Sequence, residues 1–280
     1  MHGSLCRRNL LNLEFTGILP AAGIGSRLKT VRGPKELLPI AVVVDPLTGS
    51  MRPMMVAEHS LQALRSAGVR RCVTVVNDRK PEILRYFGNG EDMGLSIAYV
   101  IQPEALGLAL AVDAAFEWTT GCSVCLALPD TVFSPGDAIK TAKETLIRSD
   151  ADLVLGVFPT SDPGQLGPVR IGAGGVVLEV LEKPVETDVY NTWGIAAWTP
   201  RFSLLLHELA PSLQHRSIGL AFHEAVKRGL NVLAVTFEAG SYSDLGTGEK
   251  FAAMVFGPGG EEGYVRQEAL VSRAGCGSLG

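Results

Sequence analysis

The 280-residue chain reads as an α/β protein built on a doubly wound, mixed but mainly parallel sheet. Two observations predict this. In the first half, short apolar runs ("EFTGILP", "RCVTVVN", "LSIAYVIQ", "SVCLALPD") alternate with segments of helical period ("PMMVAEHSLQALRSAG", "KPEILRYFG", "LGLALAVDAAFEW"). Such alternation implies βαβ units, which lay parallel strands side by side and cover both faces with helices. The second observation is composition: 46% hydrophobic and 19% charged residues suit a folded chain with a sizeable core. One α/β domain with inserted loops is common at this length.

The elements follow in order. The strand "EFTGILP" runs into a glycine-containing loop. "LLPIAVVVDPLTGSMRPM" reads as a strand turned at Asp45-Pro46 and Thr48-Gly49, a hairpin inserted over the sheet. In the candidate helix 53–67, Met54, Val56, Leu61, Leu64 and Ala67 share one face. After residue 151 strands follow one another ("DLVLGVFP", "PVRIG", "VVLEVLEKP", "YNTWGIAAWTP"), with turns at Gly164, Gly167 and 172–175, and this strand-rich half is expected to wall a substrate pocket. Helices are expected over about 200–210 and about 217–228, then a strand "NVLAVTFE" and a helix from about 246. Residues 1–14 are expected to be a flexible tail, 15–256 one domain, and 257–280 a second tail with at most one helix.

A net charge of -4 argues against a nucleic-acid binder, which needs a broad basic surface. The cysteines at 6, 72, 122, 125 and 276 have no framework spacing, which fits a reducing compartment. Cys122 and Cys125 form a lone CxxC without a second pair, and are read as buried strand cysteines. The N-terminus makes a poor signal peptide, and no run approaches the roughly 18 to 20 apolar residues of a membrane span. A cytoplasmic protein is expected, with no membrane partner.

"GILPAAGIGSRLKTVRGPKELLPI", residues 17–40, carries the chemistry. Gly23 and Gly25 after a strand allow backbone N–H groups to approach an anion closely. A dinucleotide fingerprint would want glycine at Leu28, and a P-loop would want Ser or Thr where Glu36 follows Lys35. What remains is a glycine-rich backbone with two cations, Arg27 and Lys35, suited to a triphosphate that loses pyrophosphate.

"LPAAGIGSRL" followed by "PKELLPI" resembles the N-terminal signature of sugar-1-phosphate nucleotidyltransferases, the thymidylyl- and uridylyltransferases that make nucleoside-diphosphate sugars. Further segments resembling the family extend over 16 to about 255. The resemblance implies a Rossmann-like fold of the GT-A type, with a nucleotide-binding half over about 15–150 and a sugar-binding half over about 151–256. It places Ala21, Ala22, Gly23 and Gly25 on the nucleotide. "VIQPEALGLALAV" implies Gln102 and Gly107 at the base, and "LALPDTVF" implies Asp130 as a metal ligand near the ribose. "LEKP" implies Glu182 on sugar hydroxyls and Lys183 on the sugar phosphate. Gly194 of "TWGI", with Gly167, is implied in the sugar site, and Asp244 of "YSDLGT" as the second metal ligand.

The implied reaction joins a nucleoside triphosphate, UTP or dTTP favoured, to a sugar 1-phosphate by in-line attack on the α-phosphorus. Catalysis is then alignment and charge stabilisation: Arg27, Lys35 and Lys183 on phosphates, and Mg²⁺ as cofactor between Asp130 and Asp244. The acceptor is already anionic, so no base is needed and His59, His207, His215 and His223 are left solvated or capping. Trp193 and Trp198 stand near the expected sugar pocket, with core packing the favoured role. A homo-oligomer is compatible with the sequence. Two rival readings are a transferase for another phosphorylated acceptor, such as choline phosphate or a cyclitol phosphate, and a nucleotide-sugar-binding module without turnover.

Overall fold

A computed structural model describes residues 14–25, 33–45, 48–246 and 248–256. Along the chain come β1 (Phe15–Ala21), a hairpin of β2 (Pro39–Val44) and β3 (Met51–Met55), α1 (Val56–Ser66), β4 (Arg71–Val76), α2 (Pro81–Phe87) and β5 (Ser96–Ile101). Next are α3 (Leu108–Asp113), α4 (Phe116–Thr119), β6 (Ser123–Leu126), β7 (Thr131–Ser134), α5 (Ala138–Arg148) and β8 (Leu153–Pro159). The second half adds β9 (Val169–Ile171), β10 (Val177–Val180), β11 (Asn191–Trp198), α6 (Pro200–Leu209), α7 (Gly219–Lys227), β12 (Val232–Thr236), β13 (Ser241–Asp244) and α8 (Gly248–Phe256).

The main sheet has seven strands in the order β12-β8-β11-β6-β1-β4-β5. β11 runs antiparallel to both its neighbours, and every other pairing is parallel. The chain winds from β1 outward to β4 and β5, then crosses to β6 on the other side of β1. Between β1 and β6, at the C-terminal strand ends, lies the switch point where open sheets of this kind place ligands. Because β11 is inverted, its first residues, Asn191 to Trp193, reach that same edge beside Val157 to Pro159 of β8.

Alternation along the strands builds a core on each face of the sheet. In β1, Phe15, Leu19 and Ala21 join Leu61, Leu64, Ile83 and Ile139 on one side. Ile18 faces the other way, with Val124, Leu126, Trp198, Phe202 and Phe222. This period-two division is what a strand covered on both faces by helices requires.

Several expectations need correction. The helix expected over 53–67 starts at Val56, because Pro53 to Met55 pair with β2 as the end of the hairpin. The guanidinium of Arg52, in β3, forks onto Glu58 of α1 at 2.9 and 2.8 Å, and the Glu58 carboxylate accepts the Met55 N–H, which joins the hairpin to the helix start. "LGLALAVDAAFEW" forms two short helices, α3 and α4, rather than one. Helix α5 was not among the expected elements. The strands of the second half are divided among three sheets: β8, β11 and β12 continue the main sheet, β9 pairs with β10, and β13 pairs with β7. Cys125 is buried in β6 as expected, and burial pushes its thiol up to about 12, but Cys122 precedes the strand and is half-buried.

His59 is not solvated. Its Nε2 accepts the backbone N–H of Phe133 at 3.2 Å, and its ring meets the Phe133 ring edge-on, so α1 holds β7 in place. Burial holds its pKa below the ordinary histidine value. On acidification the unfolded chain therefore takes up this proton before the folded one does. Stability should fall as the pH drops through about 6.5 toward the depressed folded value. Urea titrations from about pH 7 to about pH 5 should show that loss, and His59→Gln should flatten it. An unchanged slope in the variant would assign the loss to other groups.

Among the described residues, no helix is long and apolar enough to cross a membrane.

Candidate active site

Two cavities open side by side at the C-terminal edge of the sheet. The first, of about 540 Å³, is bordered by Ala22 and Gly23 after β1, Lys35 and Glu36, Gln102 and Gly107 after β5, and Asp130 after β6. The second, of about 580 Å³, is bordered by Gln165 to Gly167, Glu182 and Lys183 after β10, Thr192 and Trp193 at the start of β11, and Arg216 and Ser217. Gly107, Leu108, Leu128, His215, Tyr242 and Asp244 line both. The cavities therefore share a wall, and Asp244 stands in it.

Backbone pairing outside the main sheet brings the two aspartates together. β13 lies antiparallel to β7 with Asp244 opposite Thr131, and the Leu245 N–H donates to the Asp130 carbonyl at 2.9 Å. Ser60 and Thr131 hydroxyls both donate to the Leu128 carbonyl, at 2.6 and 3.1 Å, and fix the chain that leaves β6. Asp130 is thus neither a helix cap nor loosely hung. Asp244 does not start the last helix: it ends β13, and its Oδ1 accepts the Gly246 N–H at 2.8 Å.

The Lys35 ammonium donates to Asp130 Oδ2, with both side chains largely buried. Burial opposes the charge on Lys35, but Asp130, Glu36 and Asp244 together outweigh it and hold its pKa above the ordinary lysine value. The group is therefore cationic throughout the physiological range. Next to it, Glu36 forms a buried ion pair with Lys80 of 2.8 and 2.9 Å, and Lys80 also donates to the Ala21 carbonyl at 3.2 Å. Burial raises the pKa of Glu36, while Lys80 draws it back. This pair anchors the turn carrying Lys35 to the end of β1.

Gln102 is buried, and its Oε1 has no hydrogen-bond partner. Asn77 holds the segment in place by donating to the carbonyls of Gln102 and Pro103 at 3.3 and 2.7 Å. Gly107 has φ 94°, and a Cβ there would lie 2.9 Å from the backbone N and O of Arg216, so only glycine lets this loop lie against the 215–216 segment. His215 N–H donates to the Leu106 carbonyl at 2.6 Å and completes that contact.

In the second cavity, burial raises the pKa of Glu182, with Ser217 and Lys183 pulling it back. Lys183 has φ 44°, a left-handed conformation that side chains rarely adopt, and its N–H donates to the Leu166 carbonyl at 2.9 Å. Strain of this kind collects where function over-determines the backbone. Gly167 lines this cavity.

Three of the residues expected in the site stand apart from both linings. Ala21 is buried at the end of β1 and offers its carbonyl to Lys80. Gly25 has φ 66° beside the stem of Lys35. Gly194 lies under Tyr242: a Cβ there would stand 2.5 Å from that ring, so its role is to admit the tyrosine that walls both cavities. Arg27 lies outside the described residues, as do the two tails except for Glu14.

Sequence reasoning missed Tyr242, His215, and the Glu36–Lys80 pair. His215, expected to be solvated or capping, sits before α7 with φ 61° and lines both cavities. Trp193 lines the second cavity, whereas Trp198 is wholly buried at the other end of β11 and donates to Ser203 at 2.9 Å. Among the described residues no group of three or more His, Cys, Asp or Glu forms a metal cluster, so any ion between Asp130 and Asp244 would need further ligands from substrate or water.

The chain is similar in sequence to known nucleotidyltransferases and in fold to solved ones. The low-salt glycan biosynthesis nucleotidyltransferase Agl11 of Haloferax volcanii is 26% identical over 200 residues, covering 70% of this chain and 52% of the relative. A glucose-1-phosphate thymidylyltransferase of Neisseria gonorrhoeae is 31% identical over 171 residues, covering 60% of this chain and 55% of the relative. The chain spans about half the length of these relatives. The solved UDP-glucose pyrophosphorylase of Acinetobacter baumannii superposes with a TM-score of 0.70 at 20% identity, covering 93% of this chain and 99% of that one, which establishes a common fold. The family model described as "Nucleotidyl transferase" matches residues 16–255, and the chain belongs to that family.

Proposed function

We propose that the chain transfers a nucleotidyl group from a nucleoside triphosphate, UTP or dTTP favoured, to a sugar 1-phosphate, giving a nucleoside-diphosphate sugar and pyrophosphate. The observation that carries this reading is the pair of adjoining cavities with Asp244 and Tyr242 in their common wall. One cavity is lined by Gln102, with its unpaired amide oxygen, and by Lys35 paired with Asp130. The neighbouring one has a carboxylate, Glu182, and a cation, Lys183. Base and phosphates match the first, sugar and its phosphate the second, and the α-phosphate belongs at the boundary.

In the reaction a sugar-phosphate oxygen bonds to the α-phosphorus as the α–β bridging bond breaks, and the bridging oxygen leaves with pyrophosphate. Lys183 orients the attacking phosphate. Lys35, held cationic by its acidic neighbours, donates to the α-phosphate as charge develops there. Gln102 Oε1 accepts the N3–H of a pyrimidine, which satisfies a buried acceptor otherwise without a partner. Glu182 accepts from sugar hydroxyls. Arg27 is assigned to the leaving pyrophosphate by the motif alone. Asp130 and Asp244 fit Mg²⁺, which takes one or two carboxylates and completes its shell with phosphate oxygens and water. When bound, the ion neutralises phosphate charge.

Pyrophosphate release over a panel of nucleoside triphosphates and sugar phosphates tests the reading, with glucose 1-phosphate, the acceptor in the relatives' names, as the first acceptor. Release is expected with UTP or dTTP, and Gln102→Leu should reduce the preference for those bases by about tenfold. No release with any pair would favour a binding module. Release with only a non-sugar acceptor would move the second cavity to that substrate.

A further inference from the structure

Three polar groups from the second cavity's lining converge at Gly219. Gly219, the buried first residue of α7, has no Cβ, and one built there would lie 2.8 Å from Glu182 Oε2, 3.4 Å from Ser217 Oγ and 3.5 Å from Trp193 Nε1. Glu182, Ser217 and Trp193 all line that cavity. Only glycine at this position lets the Glu182 carboxylate pack against the start of α7, which gathers a carboxylate, a hydroxyl and an indole N–H into one polar corner.

The indole N–H is the informative member. Trp193 is 7% exposed and its Nε1 has no hydrogen-bond partner. Buried tryptophan N–H groups ordinarily find an acceptor, as Trp198 does on Ser203 in this same strand. Its orientation is fixed, because the ring meets Phe222 edge-on with centroids 5.1 Å apart at 87°. It is therefore placed to donate rather than to stack freely on a ligand. Ser217 is already engaged, since its Oγ accepts the Gly219 N–H at 3.1 Å.

We propose that this polar corner binds one hydroxyl group of the acceptor, whose oxygen accepts from Trp193 Nε1–H while its proton is donated to Glu182. Trp193 and Gly219 are then specificity-determining residues: the first supplies the donor, and the second lets the Glu182 carboxylate stand beside it. A hydroxyl is the group that can satisfy a donor and a carboxylate at once. Sites built to hydrogen-bond a substrate hydroxyl reject analogues that lack it far more strongly than apolar pockets reject a change of size. The inference rests on the sugar-phosphate reaction proposed above.

The test uses the full chain, one of the two favoured triphosphates, glucose 1-phosphate and the monodeoxy analogues of that sugar phosphate, one at a time. Trp193→Phe should lower kcat/KM for glucose 1-phosphate by about tenfold to thirtyfold while leaving the KM for the triphosphate unchanged. That penalty should disappear with one deoxy analogue and persist with the others, the signature of a coupling to one hydroxyl. Gly219→Ala, whose methyl would displace the Glu182 carboxylate while keeping the native tryptophan, should reproduce the loss, and thermal melting checks that both variants fold. A Trp193→Phe penalty that is absent, or equal across all analogues, overturns the inference while wild-type turnover leaves the proposed reaction standing. Wild-type protein that turns over no acceptor removes both.

Discussion

Asp130→Asn should lower turnover by about a thousandfold, some 4 kcal/mol of transition-state stabilisation, while changing unfolding free energy by no more than about 1 kcal/mol. The asymmetry follows from what Asp130 touches. Its backbone is held by the Leu245 N–H and its neighbours by Ser60 and Thr131, and none of these contacts involves the carboxylate. The carboxylate itself meets Lys35 in a partly open cavity, where an amide oxygen of the same shape can still accept from the ammonium. Folding therefore loses little, but the site loses the negative charge that orients Lys35 and offers a hard ligand to a cation. Asp244→Asn is a less clean experiment, because its Oδ1 also accepts the Gly246 N–H before α8. Pyrophosphate release and urea unfolding of Asp130→Asn measure the two quantities. Equal turnover would remove Asp130 from the catalytic machinery, and a large loss of stability would make the turnover result uninterpretable as chemistry.

Why Asp130 was legible and Tyr242 was not is a matter of where each residue's neighbours lie in the chain. Gln102 and Asp130 stand in segments whose resemblance to the family names them, and both follow apolar runs that end at the sheet edge where ligands bind. Helix α5 carries a local trace as well, since Ala138, Ile139, Ala142 and Leu146 recur on one face. Tyr242 and His215 are different. Tyr242 enters the site because Gly194 leaves room beneath it and because β13 pairs with β7 across the chain, and neither contact has a local trace. His215 arrives through the close approach of Gly107 to the 215–216 backbone, for which the glycine alone is an ambiguous sign. The inversion of β11 is invisible for a simpler reason: an apolar run covered on both faces reads the same in either direction. Yet that inversion carries Trp193 to the cavity and Trp198 to the far end of the core.

Lys80→Met should destabilise the fold by about 3 to 5 kcal/mol, the largest stability effect expected of a single substitution in the site. Glu36 is almost fully buried, and Lys80 is the cation paired with it at 2.8 and 2.9 Å. Removing that cation strands a carboxylate whose pKa burial already raises, so it must either remain charged without compensation or take up a proton. The second route predicts a pH signature. In the variant the folded state binds a proton that the unfolded state releases at neutral pH, so stability should be partly restored as the pH falls toward the ordinary glutamate range, opposite to the slope assigned to His59. Adding Glu36→Leu to Lys80→Met should recover most of the loss, since replacing both partners removes the unpaired charge. Function should not recover with it. The pair ties the turn beginning at Lys35 to the Ala21 carbonyl, and a double variant that folds well but has lost this tether should leave Lys35 misplaced and turnover low. Urea unfolding across pH and pyrophosphate release separate the two effects. A double variant with both stability and turnover restored would show that Lys35 is positioned by Asp130 alone.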